Sequence, residues 1–210
     1  MPETAKPETR KIQAEKRRQE ILDAALKVFA EQGYQGATIS QISEAAGTSL
    51  GLLYHYFPNK KALMEAVIAE HSFLPLLKNI IAKQGKQSIE SVLSQLCLKF
   101  YRLLESKKEL VAIFLREGTS NPAVSQVWFS MIRQGVTSLI SLLDQGVKQG
   151  VLKEHRLDVT ARTLMSAVVM LYLTREAYGE GFTSPEDFIP QMIASQLSGI
   201  KSPKKNRRIE

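Results

Sequence analysis

Residues 49–57 (SLGLLYHYF) combine apolar, aromatic and hydroxyl side chains in a segment of about two helical turns. Helical spacing puts Leu53 and Phe57 on one face, where they point towards a core. The other large or polar side chains then lie on or near the outer surface, and they are Ser49, Leu50, Leu52, Tyr54, His55 and Tyr56. Exposed leucines and tyrosines on so short a helix predict a surface that meets another molecule.

The residue types of this surface suit the major groove of DNA. A leucine can contact the methyl group of thymine, and tyrosine or histidine can bond to phosphates or base edges. Gly51 has no side chain and lets the backbone come close. Lys60 and Lys61 stand at the start of the next predicted helix, where backbone N–H groups and the helix dipole add to their charge. We therefore expect the two lysines to favour phosphate.

Patterns that would indicate catalysis or metal binding are missing from the sequence. The three histidines, His55, His71 and His155, have no partner at the spacing of a metal site. The serines form no nucleophile elbow, and no glycine-rich phosphate loop occurs. The one cysteine, Cys97, lies between two leucines and is interpreted as a core residue rather than a redox sensor. We predict no metal, no cofactor and no enzymatic activity.

Apolar residues at helical spacing, with few strand signals, predict an all-α fold. Gly33 should end a first helix, Thr38 and Gln41 form a capping box for a second, and Asn59 caps a fourth. Gly47 joins two short helices of helix-turn-helix dimensions. Pro75 predicts a break. The helices expected along the chain are 12–33, 38–47, 50–56, 60–70, a helix from 88 onward, 109–117, 122–150, a helix from 158 onward and 185–199.

Composition and charge bound the class of protein. The chain has 210 residues, a length that is enough for one large domain or two modest ones. Hydrophobic residues make up 44% of the chain. The net charge is +7, and residues 201–210 carry five basic and one acidic side chain. That basic tail either solvates the end of the chain or meets a polyanion such as DNA. The start of the chain is not a secretory signal, and the apolar run 164–173 is too short to span a bilayer, so we expect a cytoplasmic protein with no membrane partner.

Residues 17–68 closely resemble the DNA-binding domain of the TetR family of bacterial transcription regulators. The matching elements are Ile21-Leu-Asp-Ala-Ala25, Phe29, Gly33, Thr38-Ile39, Ile42, Ala45-Ala46-Gly47, Ser49, Gly51, Leu53-Tyr54, Phe57, Lys60 and Leu63. The resemblance implies an all-α homodimer in which each subunit has three DNA-binding helices followed by a larger ligand-binding bundle. Beyond residue 70 it extends only to the helix layout.

The resemblance also implies which residues meet DNA. The helix matching residues 50–56 enters the major groove, and the positions matching Tyr56 and Lys60 contact phosphates. The full DNA-binding set that we predict is Thr38, Ser49, Leu50, Gly51, Tyr54, His55, Tyr56 and Lys60. For Tyr54, packing and DNA contact remain equal alternatives. Arg17 and Arg18 either touch the DNA backbone or solvate the first helix.

Aromatic, methionine and arginine side chains of the larger part are candidates for lining an effector pocket. They are Phe100, Tyr101, Phe114, Arg116, Trp128, Met131, Arg162 and Met165. Such stripes can equally be plain core, but pockets in helical proteins commonly open between bundle helices and are lined by these residue types. Arg162 could meet an anionic head group. The apolar helices around 164–173 and 189–197 are expected to form the seam of a homodimer.

The sequence thus predicts four segments: a basic N-terminal arm (1–15), a helix-turn-helix domain (16–60), a ligand-binding and dimerisation domain (61–200) and a basic tail (201–210). The expected function is that of a ligand-responsive regulator, most simply a repressor released from a palindromic operator by an apolar or amphipathic effector. Two rivals remain open: a helical ligand carrier without DNA function and an α-helical enzyme. Basic and aromatic residues at 50–61 argue against the first, and the lack of an acid–base or nucleophile set argues against the second.

Overall fold

Helices dominate the computed structural model, which describes residues 7–71, 74–82, 87–179 and 183–202. The predicted all-α class is confirmed: in those ranges the β-type pairing is limited to one isolated antiparallel bridge, between Leu152 and Lys201. The helices are α1 (Pro7–Gly36), α2 (Ile39–Ala45), α3 (Leu50–Tyr56), α4 (Lys60–Glu70), α5 (Leu74–Ala82), α6 (Ile89–Ser106), α7 (Lys108–Glu117), α8 (Pro122–Lys148), α9 (Leu157–Tyr178) and α10 (Pro185–Ser198).

The long first helix is broken where the sequence predicts. Gly33 has φ 76° and ψ 165°, a combination that is essentially restricted to glycine. One further turn follows the break and closes with a hydrogen bond of 3.1 Å from Ala37 N–H to the Gly33 carbonyl. At the other end α1 begins at Pro7, so residues 7–15 of the predicted arm are helical. Residues 1–6 of that arm lie outside the described residues.

The predicted starts of α2 and α4 are confirmed, and in both a side chain caps the helix as the sequence predicts. The Thr38 and Asn59 side chains accept hydrogen bonds from the first turns of α2 and α4. One helix, α5, is not predicted by the sequence, because Pro75 carries the signal of a helix break. Pro75 is the second residue of α5, where a missing N–H leaves no helical hydrogen bond unmade, so the proline is tolerated there.

Contacts divide the chain into two compact units. The first comprises Met1–Ser72 with Lys107–Ser130, and the second comprises Phe73–Ser106 with Met131–Glu210. In the first unit, α1 packs against α2, α4 and α7. This division differs from the predicted boundary near residue 60, because α4 and α7 both bury apolar side chains against α1.

The second unit is centred on α6, which packs against α5, α9 and α10. Cys97 of α6 is fully buried and burial raises the pKa of its thiol to about 12, which confirms it as a core residue. By length and mean hydropathy α9 could cross a membrane, yet it packs against α6 and α10 in this unit. Of the basic tail, Lys201 and Ser202 are described, and the Lys201 ammonium pairs with Glu90; residues 203–210 lie outside the described residues.

Candidate nucleic-acid interface

The turn between α2 and α3 fixes the start of the predicted recognition helix. Gly47 has φ 57°, in the left-handed region that favours glycine. Ser43 holds the turn closed, because its carbonyl accepts from Thr48 N–H at 3.0 Å and its hydroxyl donates to the Thr48 carbonyl at 2.6 Å. Ser49 then caps α3 by accepting from Leu52 N–H at 3.2 Å. These local bonds set the direction in which α3 leaves α2.

The seven-residue helix α3 has one buried face and one exposed face. Leu53 is fully buried and Phe57, at its carboxyl end, is 5% exposed, as the spacing predicts. Leu50 and Tyr54, one turn apart, are 44% and 49% exposed. The other exposed members of the predicted set are Thr38, before α2, and Ser49, Gly51 and His55. Large apolar side chains grouped on a water-facing surface commonly mark an interaction site, because a partner that covers them removes the cost of their exposure.

Tyr56 stands at the flank of this exposed face and is half-buried. Its hydroxyl donates to the Ala14 carbonyl of α1 at 3.2 Å, and its ring meets the His55 ring edge-on at 5.7 Å. The phenol oxygen can still accept a hydrogen bond, but its proton is already used. In the structure Tyr56 therefore ties α3 to α1, and a contact with phosphate remains a prediction.

Lys60 is bound to the turn that follows the α1 break. Its ammonium donates to the carbonyls of Gln35 and Ala37 at 3.2 and 2.8 Å, and lies 4.7 Å from the centre of the Tyr34 ring. Desolvation lowers the pKa of Lys60, and the Glu117 carboxylate opposes that shift. Two of its three N–H donors are thus engaged, which leaves one for a phosphate.

Thr38, Arg17 and Arg18 also take part in bonds within the protein. The exposed Thr38 hydroxyl accepts from Gln41 N–H at 3.2 Å and donates to the Gln41 side chain at 2.8 Å. Arg17 pairs with Glu20 at 2.8 Å. Arg18 lies 3.4 Å from both Glu15 and Glu70. Exposed pairs such as these contribute little stability and can exchange for phosphate, so both predicted roles of the arginines stay open.

The structure divides the predicted effector residues between the two units. Phe114, Arg116 and Trp128 belong to the first unit, and the Phe114 and Trp128 rings stack with centroids 3.7 Å apart. Arg116 is exposed and donates a hydrogen bond to the Ala30 carbonyl of α1. Its guanidinium thus has a partner that the sequence did not reveal.

The remaining candidates belong to the second unit: Phe100, Tyr101, Met131, Arg162 and Met165. Tyr101 is 2% exposed, meets the Tyr172 ring at 6.3 Å, and has a pKa raised by burial. Phe100, Met131 and Met165 are half-buried, and Arg162 is exposed. The role of all eight as effector ligands remains a prediction. Among the described residues, no group of three or more metal-ligating side chains comes together.

The sequence does not reveal the partners of one buried carboxylate. Glu117, the last residue of α7, is 8% exposed and accepts hydrogen bonds from Tyr34 N–H and from the Asn121 side-chain amide. Because Tyr34 and Glu117 are 83 positions apart, no local pattern could have paired them. The one signal in the sequence is Gly33 itself, since a glycine that breaks a helix leaves backbone groups in need of other partners.

Known proteins resemble this chain in sequence and in fold. Residues 21–67 match the sequence model of "Bacterial regulatory proteins, tetR family". The HTH-type transcriptional repressor AcnR of Corynebacterium diphtheriae is 36% identical over 77 residues, which are 31% of this chain and 40% of that protein. The chain thus spans less than half the length of this relative.

Two further similarities extend over most of the chain. The uncharacterized HTH-type transcriptional regulator YvkB of Bacillus subtilis is 26% identical over 188 residues, covering 87% of this chain and 96% of that protein. The crystal structure of the transcriptional regulator FadR from Bacillus subtilis, in complex with stearoyl-CoA, has a TM-score of 0.73 at 22% identity. The match covers 87% of this chain and 98% of FadR. This second similarity shows a shared fold.

Proposed function

The chain belongs to the TetR family of bacterial regulatory proteins, and we propose that it is a repressor that binds a palindromic operator as a homodimer and is released by a small apolar or amphipathic effector. The family and the relatives are transcription regulators rather than enzymes, so the enzyme alternative is set aside. DNA binding of this kind takes place in the bacterial cytoplasm, which is where we place the protein.

The exposed face of α3 is the observation that supports this proposal most. Leu53 and Phe57 anchor the helix, while Leu50, Leu52 and Tyr54 remain open to solvent. An α-helix with its side chains is about 10–12 Å across, which fits within the width of a major groove. Apolar side chains on this face can read thymine methyl groups, and the flanking polar groups can fix the helix against phosphates.

A second copy of the chain would cover the exposed face of α9 and present two recognition helices. Val159 and Met170 of α9 are 51% and 59% exposed, and Thr163 and Ser166 lie exposed between them at helical spacing. We propose that this face and α10 form the dimer seam. A two-fold dimer matches a palindromic site whose half-sites lie about one helical turn apart or more.

The effector that we propose is amphipathic and enters the larger helical part, where Phe100, Tyr101 and Met165 are the apolar candidates and Arg162 the candidate for an anionic group. The stearoyl-CoA in the FadR complex is a molecule of this chemical class. An effector can release DNA only if it binds the DNA-incompetent state more tightly than the competent one. We propose α4, which follows the recognition helix in the chain, as the lever between the two states.

An electrophoretic mobility shift tests the proposal. Purified protein is mixed with the DNA segment upstream of its own gene, with a scrambled duplex of equal length, and with or without long-chain acyl-CoA. We expect a shift of the upstream segment at protein concentrations that leave the scrambled duplex free, and its reversal by acyl-CoA. Equal binding to both duplexes would contradict the proposal that the protein recognises a specific operator. The ligand carrier without DNA function would then be the better account.

Replacing Leu50 with alanine should change which base is preferred at one operator position. Each thymine of the shifted segment is replaced by uracil, which removes its major-groove methyl group, and affinity is measured by fluorescence anisotropy. The wild type should lose affinity at the thymine that Leu50 touches, whereas Leu50→Ala should be insensitive there. Leu115→Ala, which truncates an exposed leucine of the same unit outside α3, serves as the control. An identical uracil profile for all three proteins would show that Leu50 does not contact a thymine methyl group in the major groove.

Replacing Lys60 with alanine should weaken binding to operator and scrambled duplexes alike, because a phosphate contact carries no sequence information. The slope of log affinity against log salt should become less steep by about one. Lys27→Ala is the control, since it removes the same charge from an exposed position of α1 outside the predicted DNA-binding set. If both variants change the slope equally, the effect reflects net charge and the contact assigned to Lys60 is wrong.

A further inference from the structure

We infer that Arg116 and Glu117 of α7 hold the break in α1 open and thereby position the helix-turn-helix, so that operator discrimination depends on two side chains outside the recognition helix. This inference rests on the proposed function, because discrimination between DNA sequences is the property that it explains.

The break in α1 removes one helical hydrogen bond, the bond between Tyr34 and Ala30. In a continuous helix the Tyr34 N–H would donate to the Ala30 carbonyl, four residues earlier. With Gly33 at φ 76° the two groups instead find partners on α7. The Arg116 guanidinium donates to the Ala30 carbonyl, and the Glu117 carboxylate accepts from Tyr34 N–H. Adjacent residues of α7 thus replace both halves of the bond that α1 has lost.

Because Glu117 and Tyr34 are buried, the bonds between α7 and α1 strongly constrain the conformation of α1 at the break. Glu117 is 8% exposed, and its second oxygen accepts from the Asn121 side-chain amide at 2.9 Å. The Asn121 oxygen in turn accepts from Ala123 N–H at 3.1 Å, in the first turn of α8. A buried donor that loses its partner cannot turn to water, so Tyr34 N–H has two alternatives: Glu117 or the Ala30 carbonyl.

Those alternatives correspond to two shapes of α1. With α7 in place, the helix is broken and the turn 34–37 leads directly into the Thr38 cap of α2. If α7 withdraws, Gly33 is free to take helical angles and the Tyr34–Ala30 bond can form. Straightening α1 would redirect residues 34–38 and with them α2 and α3.

Exchanging two side chains tests the inference. Glu117→Gln keeps an oxygen for Tyr34 N–H but turns an amide towards the Asn121 amide, and Asn121→Asp turns two carboxylates towards each other. The double variant Glu117→Gln/Asn121→Asp restores a donor and an acceptor, while the carboxylate introduced at position 121 can still cap α8. Affinity is measured by fluorescence anisotropy for the upstream duplex and for a scrambled duplex of equal length. Deuterium exchange is followed for the peptide containing residues 30–38.

We expect each single variant to lower the ratio of upstream to scrambled affinity by about tenfold, the factor that corresponds to one hydrogen bond of ordinary net strength. The double variant should return within about twofold of the wild type. Exchange over residues 30–38 should rise in the single variants and recover in the double one. Binding to the scrambled duplex should stay nearly constant, since it depends on surface charge.

Arg116→Met provides a second variant that keeps the buried carboxylate intact. It should lower the affinity ratio in the same way, because Ala30 loses its donor. Arg102→Met removes an equivalent exposed arginine, paired with Glu186, from the second unit and should leave the ratio unchanged.

Three results would overturn the inference: unchanged ratios in Glu117→Gln and Arg116→Met, equal losses for both duplexes, or no recovery in the double variant. Failure of the proposed function would look different, because the wild type itself would then show no preference for the upstream duplex.

Discussion

Replacing Leu53 with alanine is expected to lower the free energy of unfolding by about 3 kcal/mol, as for other fully buried leucines. Leu53 has no exposed surface, and it is the one residue of α3 that is buried. Truncation leaves a cavity beneath a helix of two turns, which cannot hold its own conformation without packing. Urea unfolding followed by circular dichroism measures the loss, and operator affinity should fall with it.

The neighbouring residue provides the control for that experiment. Leu52 is 39% exposed, so Leu52→Ala removes the same atoms with little change in burial. Its free energy of unfolding should stay within about 0.5 kcal/mol of the wild type, as is usual for surface substitutions. Equal losses at positions 52 and 53 would show that α3 is not anchored through Leu53.

Replacing Gly33 with alanine should have an effect of similar size on stability and a larger one on operator recognition. The backbone angles at Gly33 cost a residue with a Cβ on the order of 3 kcal/mol. A Cβ there would also lie 2.7 Å from Glu117 Oε1, which forces the carboxylate or the backbone to move. Alanine favours the helical angles at which α1 is continuous, so preference for the upstream duplex should fall together with the urea midpoint.

Gly36 provides a matched glycine for this substitution. It lies in the turn after the break, its φ is not positive, and a Cβ there would meet only the Gln32 side chain at ordinary contact distance. Gly36→Ala should therefore change the urea midpoint and the duplex preference very little. Unchanged stability and preference in Gly33→Ala would mean that the break is not required.

Helix positions could largely be predicted because their signals are local. Caps such as Thr38 and Asn59 lie within three residues of the groups that they satisfy. The exposed and buried faces of α3 follow from spacing alone, since Leu53 and Phe57 are four residues apart. The helix α5 is not predicted for an equally local reason. A proline such as Pro75 can either break a helix or stand in its first turn, and the sequence alone does not distinguish the two.

Interactions between distant segments could not be predicted in this way. Nothing near Glu117 indicates that it meets Tyr34, and nothing near Lys60 indicates that its ammonium meets the carbonyls of Gln35 and Ala37. Residue type suggested both Phe114 and Tyr101 as effector ligands, yet the fold assigns them to different units. The type of a residue limits the partners that it can bind, and its tertiary neighbours determine which of those partners it does bind.

Methylation interference on the upstream DNA tests most directly whether the exposed face of α3 enters the major groove. Dimethyl sulfate modifies guanine N7 in the major groove and adenine N3 in the minor groove, so a single experiment compares the two. We expect guanine N7 methylation to block binding in two clusters, one for each half-site. Interference confined to adenine N3 would contradict the assignment of α3 as the recognition helix.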